Sequence, residues 1–185
     1  YVLTGELSRH DAVSMALLLL VAGHETTANM IAFGTLTLLQ HPEQAAEVRD
    51  GDPGAVKSAV EELLRLLTVV HTGRRRVALE DIEIGGMTIR AGEGIIAAGE
   101  SANRDSAVFE SPDELDIHRS SNHHVAFGFG VHQCLGQPLA RLELQIAYPA
   151  LLRRFPNLRV AVLPEEIRFR NKMVVYGVQS LPVSW

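Results

Sequence analysis

The stretch Phe127-Gly-Phe-Gly-Val-His-Gln-Cys-Leu-Gly136, FGFGVHQCLG, gathers three glycines and the only cysteine of a 185-residue chain into ten positions. Gln137-Pro138 follows. Proline is well placed in a first helical turn, so a helix is predicted from Gln137 to about Arg154. Cys134 then stands just ahead of that helix, where free N–H groups and the dipole favour a thiolate. Gly128, Gly130 and Gly136 admit unusual backbone angles or a close approach to a flat ligand. A lone cysteine is more often an inert buried thiol. The loop by itself therefore leaves two readings, ligand and inert thiol, and the residues around it must decide.

Bulk properties exclude several function classes. The chain is 46% hydrophobic and 21% charged with a net charge of −5, ordinary values for a globular domain. Without a basic excess it offers no footprint for nucleic acid. The longest apolar run, Met15 to Ala22, is too short for a bilayer, so no membrane partner is expected. One cysteine rules out an internal disulfide and suits a reducing, cytoplasmic setting. The chain opens on Tyr1 and enters a helix almost at once, which suggests a segment whose preceding half is missing.

Ser8 with Asp11 reads as a helix start, and apolar residues recur at helical spacing to about Leu39, with Gly23 as a weak point. Pro42 to Asp50 and the stretch DPGAVKSAVEELLRLL are two further helices. From Arg76 to Ala98 alternation and a Gly-Gly turn predict short strands in hairpins. A strand near Leu158–Val162 and a hairpin through MVVYGVQSLPVSW close the chain. The fold class is mainly α with small β-sheets.

The first helix carries VAGHETTANM, residues 21–30, inside its most apolar part. Three readings compete. The threonines could bond back to carbonyls one turn earlier. His24-Glu25 could open the zinc motif His-Glu-x-x-His, but Ala28 stands where its second histidine belongs. His123, His124, His132 and Cys134 could still hold zinc elsewhere. The third reading comes from a family pattern.

The Cys134 loop resembles the haem-binding signature of the cytochrome P-450 superfamily, Phe-Gly-x-Gly-x-His/Arg-x-Cys-x-Gly, at every fixed position. The resemblance implies haem b (iron protoporphyrin IX) with Cys134 as the axial thiolate on its iron. Electron donation from such a thiolate toward O–O cleavage is a property of the family as such. It further implies that His132 reaches a haem propionate, that Phe127 packs near the thiolate, and that Gly128 and Gly136 shape the loop. Arg76 aligns with a propionate-binding arginine, with Arg74 as the alternative because three arginines in a row blur the register. Glu62-Leu-Leu-Arg65 matches the family's Glu-x-x-Arg, implying a structural pair on a K-type helix. The arginine that completes that network in many members is replaced here by Glu114 in SPDELD. Arg104 and Arg119 are the candidates to substitute.

Ala22-Gly-His-Glu-Thr-Thr27 likewise matches the distal motif of the family's long I-type helix. The match implies that Ala22 leaves room for dioxygen and substrate, that Thr26 hydrogen-bonds the oxygen, and that Glu25 relays protons. His24 falls at the variable position and receives no role. By alignment Ala22, Val69, Val70 and Val175 face an apolar substrate.

The family also supplies the wider expectations. Residues 1–185 should be the C-terminal, haem-binding part of one larger catalytic domain, holding the I-type helix, K-type helix, hairpins, Cys loop and L-type helix, with the N-terminal half absent. The implied reaction is RH + O₂ + 2 e⁻ + 2 H⁺ → ROH + H₂O, a hydroxylation or an epoxidation. A ferredoxin and its reductase would bring electrons from NAD(P)H, since no nucleotide or flavin motif is present. The isolated segment is expected to be inactive.

Overall fold

A computed structural model describes residues 1, 4–71, 74–120 and 122–185. Helix α1 (Arg9–Gln40) starts where the sequence predicts, with the Ser8 hydroxyl accepting from Asp11 N–H at 3.0 Å. It runs unbroken through Gly23 to His41, where Pro42 opens α2 (Pro42–Asp50). Helix α3 (Pro53–Leu67) is capped by Asp52, whose carboxylate accepts from the N–H groups of Gly54 and Ala55.

The core forms where α1 and α3 meet α5 (Gln137–Arg154), around the fully buried Leu38, Val60, Leu63 and Leu144. Tyr148 fixes the spacing of α1 and α5. Its buried hydroxyl donates to the Met30 carbonyl at 2.7 Å, and burial pushes its pKa up. Gly34 makes this approach possible, because a Cβ there would collide with the phenol oxygen of Tyr148.

Among the described residues, the strands form three separate two-stranded sheets. Strand β1 (Arg74–Val77) pairs antiparallel with β4 (Gly94–Ala97), enclosing the hairpin of β2 (Ile82–Ile84) and β3 (Met87–Ile89). Gly85 and Gly86 both take positive φ at the hairpin turn, the geometry that matches strand twist. A single helical turn, α4 (Gly99–Ala102), follows. The expected tail hairpin is corrected. The chain folds back earlier, over Arg168–Gln179, tied by Arg170 N–H to Gly177 O and Gln179 N–H to Arg168 O, each 2.8 Å. Pro182 then leads into β6 (Val183–Ser184), which pairs with β5 (Arg159–Val160). Proline lacks a donor and sits at the strand entry, while its carbonyl accepts from Ala161 N–H.

Helix α1 is long and apolar enough to cross a membrane by length and composition alone, a test that a core helix also passes. Its C-terminal half is packed in the core, with Met30, Leu36 and Leu38 buried. Its N-terminal half leaves Val13, Leu17, Leu18, Leu20 and Val21 exposed. The chain presents 12213 Å² to solvent, against about 8,800 Å² expected for a globular monomer of its mass.

Candidate functional site

A cleft of about 310 Å³ lies between α1, the chain after α3, and the Cys134 loop. From α1 come Ala22, Thr26, Thr27 and Met30, and from the chain after α3 come Thr68, Val69 and Val70. The loop contributes Ala126, Phe127, His132 and Cys134, and α5 contributes Ala140 and Leu144. The loop closes on itself through Cys134 N–H to Phe127 O at 2.9 Å and Gln133 N–H to Gly130 O at 2.9 Å. Gly128 (φ 77°) and Gly130 (φ 84°) take left-handed backbone angles, which only glycine adopts without strain. Gly136 caps α5, and a Cβ on it would touch Cys134 Sγ at 3.9 Å. Cys134 is exposed on this cleft, not an inert core thiol.

The arginine at the cleft is Arg74, not Arg76. Arg74 donates to the carbonyls of Ala126 (3.0 Å) and Val125 (3.3 Å). A Cβ on Gly128 would meet its Nε at 3.0 Å, so glycine there makes room for the guanidinium. The strand register explains the correction. Arg74 pairs with Ala97 at the sheet end beside the cleft. Arg76 lies about 7 Å further along the strand, two residues on. It is exposed and, among the described residues, donates only to the Arg75 carbonyl. Val69 and Val70 line the cleft as expected, but Val175 does not. Its antiparallel bridge to Val70 holds it in the main core.

The distal residues separate onto two sides of α1. Thr26 faces the cleft and donates to the Ala22 carbonyl at 2.7 Å, opening a polar spot in an apolar wall. Glu25 is not in the cleft. It lines a separate groove with Leu20, Val21, His24 and Arg170, and accepts from Arg170 at 3.2 Å. Successive helix residues are turned about 100° apart, and on α1 that turn carries Glu25 into this groove while Thr26 and Thr27 face the cleft. Asn29 holds the turn between them by donating to the Glu25 carbonyl.

Beneath the loop, Glu62 and Arg65 are fully buried and doubly bonded, Nε to Oε2 and Nη2 to Oε1, each 2.8 Å. The open third position is taken by Arg119, 9% exposed, whose Nε lies 3.1 Å from Glu62 Oε2. Arg104 instead pairs with Asp113. Glu114 contributes only its carbonyl, 3.1 Å from Arg65. Asn122 and the Asp116 N–H complete the shell of Glu62, while the Asn103 and Pro112 carbonyls complete that of Arg65. Sequence reasoning missed a second cluster, Glu61 with His124 and Arg141. Burial pushes the Glu61 carboxyl up, but hydrogen bonds from His124 and Arg141 outweigh it and hold it at about 2. Glu61 beside Glu62 was the available signal, since two adjacent acids on one helix face different partners.

The zinc readings find no support in the geometry, because among the described residues no three His, Cys, Asp or Glu side chains converge. The cleft does fit a haem. It offers a soft sulfur donor, apolar walls, and Arg74 with His132 as donors for carboxylates.

Comparison with known proteins agrees. The Cytochrome P450 family pattern matches residues 55–176. Cytochrome P450-SU2 of Streptomyces griseolus is 61% identical over 181 residues, 98% of this chain and 45% of the relative. Vitamin D3 dihydroxylase of the same organism is 55% identical over 98% of this chain and 44% of its own length. The crystal structure of cytochrome P450 MoxA from Nonomuraea recticatena matches with a TM-score of 0.93 at 55% identity, covering 98% of this chain and 45% of that one. The chain thus spans about half the length of the curated relatives it matches. With both signature motifs brought to one cleft, and with helices and small sheets that follow the C-terminal portion of these structures, the chain belongs to the cytochrome P450 family.

Proposed function

We propose that the protein to which this chain contributes is a haem-thiolate monooxygenase that inserts one oxygen atom of O₂ into a small apolar organic molecule. The observation that carries the reading is the meeting of Cys134, Arg74, His132 and Thr26 on one apolar-walled cleft. The haem b, when bound, supplies the oxygen activation and electron chemistry. The chain's own residues do the rest.

Cys134 would hold the haem iron through its sulfur, its own backbone fixed by the N–H bond to the Phe127 carbonyl. Arg74 and His132, both lining the cleft, would bind the haem carboxylates. Thr26 places a hydroxyl in the cleft, and Glu25, part exposed beside Arg170, exchanges protons with solvent one residue away. Ala22, Val69 and Val70 give the substrate an apolar wall and exclude water. The vitamin D3 dihydroxylase relative, by its name a hydroxylase, supports hydroxylation as the reaction.

Residues 1–185 form the C-terminal, haem-binding part of a single larger catalytic domain. The exposed apolar half of α1 and the length of the relatives support this. A ferredoxin and its reductase deliver electrons from NAD(P)H in the bacterial cytoplasm.

The test is isotopic. Intact protein with reductant, a ferredoxin, its reductase, ¹⁸O₂ and a panel of apolar substrates should yield products carrying one ¹⁸O atom. Product oxygen drawn from water, or haem-loaded protein that oxidises none of the panel, contradicts the reading.

A further inference from the structure

We infer that Glu61 is a positioning residue for Cys134, acting through His124 and Arg141, an inference that rests on the haem-thiolate reading above. The two flanks of the Cys134 loop are tied to this one carboxylate. On the upstream flank, His124 Nε2 lies 3.0 Å from Glu61 Oε2, and its side chain is 2% exposed. Ala126 N–H donates to His124 Nδ1 at 3.2 Å. Nδ1 is therefore the acceptor, and Nε2 carries the hydrogen that goes to Glu61. On the downstream flank, Arg141 of α5 grips both carboxylate oxygens, at 2.7 and 3.0 Å. Its remaining amine donates to Gln137, the first residue of α5, at 2.8 Å.

The two arms converge on Phe127. The Arg141 guanidinium lies over the Phe127 ring, 4.6 Å from its centroid. The Phe127 carbonyl is the group that accepts the Cys134 N–H. Contact therefore runs from Glu61 through Arg141 and Phe127 to the backbone of the sulfur ligand. His124 sets Ala126 one residue upstream. Removing the carboxylate leaves His124 without water to replace its partner, and Arg141 free to leave the ring. Leu63 and Leu144, fully buried beneath on the same two helices, keep the fold itself in place. Glu62 cannot substitute, because Arg65, Arg119 and Asn122 already occupy its oxygens.

The test uses the intact haem-loaded protein, reduced and treated with CO. In the parent the far-red-shifted Soret band reports thiolate ligation. In Glu61→Gln the haem stays bound, but the band converts to the shorter-wavelength form about tenfold faster, the scale on which outer partners tune a ligand. The haem reduction potential shifts with it. Arg141→Lys keeps the charge but not the fork, and falls between parent and Arg141→Ala. Glu47→Gln, which removes a surface pair with His118 elsewhere, stays at the parental rate. Parental conversion rates in both Glu61→Gln and Arg141→Ala overturn the inference. If Glu61→Gln does not accumulate as folded protein, a parental rate in Arg141→Lys overturns it alone. A parent without the red-shifted band overturns the monooxygenase reading itself.

Discussion

At the scale of single residues, the loop around Cys134 is legible because each of its residue types does something no other type does there. Gly128 must take a left-handed angle and leave room for Arg74, so its glycine is dictated twice. The choice between Arg74 and Arg76 is a different matter. Both sit on one strand, and sequence spacing alone does not say where the sheet ends against the cleft. The register Arg74↔Ala97 does. Arg74→Ala in the intact protein should therefore weaken haem retention by about tenfold or more, the loss of a charge-assisted hydrogen bond. Arg76→Ala should leave retention unchanged. Transfer of haem to an apo-globin acceptor measures both, and equal rates for the two variants would refute the assignment. The choice between Arg104 and Arg119 as third partner of Glu62 was open for a similar reason. Arg119 reaches it from a turn-rich segment whose path no periodicity encodes.

At the scale of elements, helices were legible to within a residue or two because their ends carry chemical marks. Ser8, Asp52, Pro42 and Pro138 each stand where a cap or first turn needs them. The tail was not, since Phe169↔Val178 is a single bridge and the strand partner of Val183–Ser184 is Arg159–Val160, far back along the chain. Such pairing is set by tertiary packing rather than by local alternation. Packing also explains Gly34, a residue of low helix propensity inside α1. It receives the Tyr148 hydroxyl, and this contact sets the distance between the helix bearing Thr26 and the helix behind Cys134. Gly34→Ala should displace that ring and cost about 1–3 kcal/mol of stability, despite the better helix propensity of alanine. Denaturant unfolding of the intact protein measures it, and a stabilised Gly34→Ala would contradict the packing argument.

At the scale of the whole molecule, surface area is the governing quantity. The chain leaves roughly 3,400 Å² more exposed than a globular monomer of its mass, much of it along the leucines of α1. The run of exposed apolar side chains on the N-terminal half of α1, Val13, Leu17, Leu18, Leu20 and Val21, marks an interface. The 185 residues alone should therefore self-associate and bind less than one haem per chain. Sedimentation and haem titration check this, and a monodisperse monomer with one tightly held haem would contradict it. The account as a whole depends on Cys134 ligating haem iron through its sulfur. The most direct measurement is the absorption spectrum of the intact, reduced, CO-treated protein beside its Cys134→Ala variant. The account predicts the far-red-shifted Soret band in the parent and its loss in the variant. A parent without that band, or a variant that keeps it, would contradict the account.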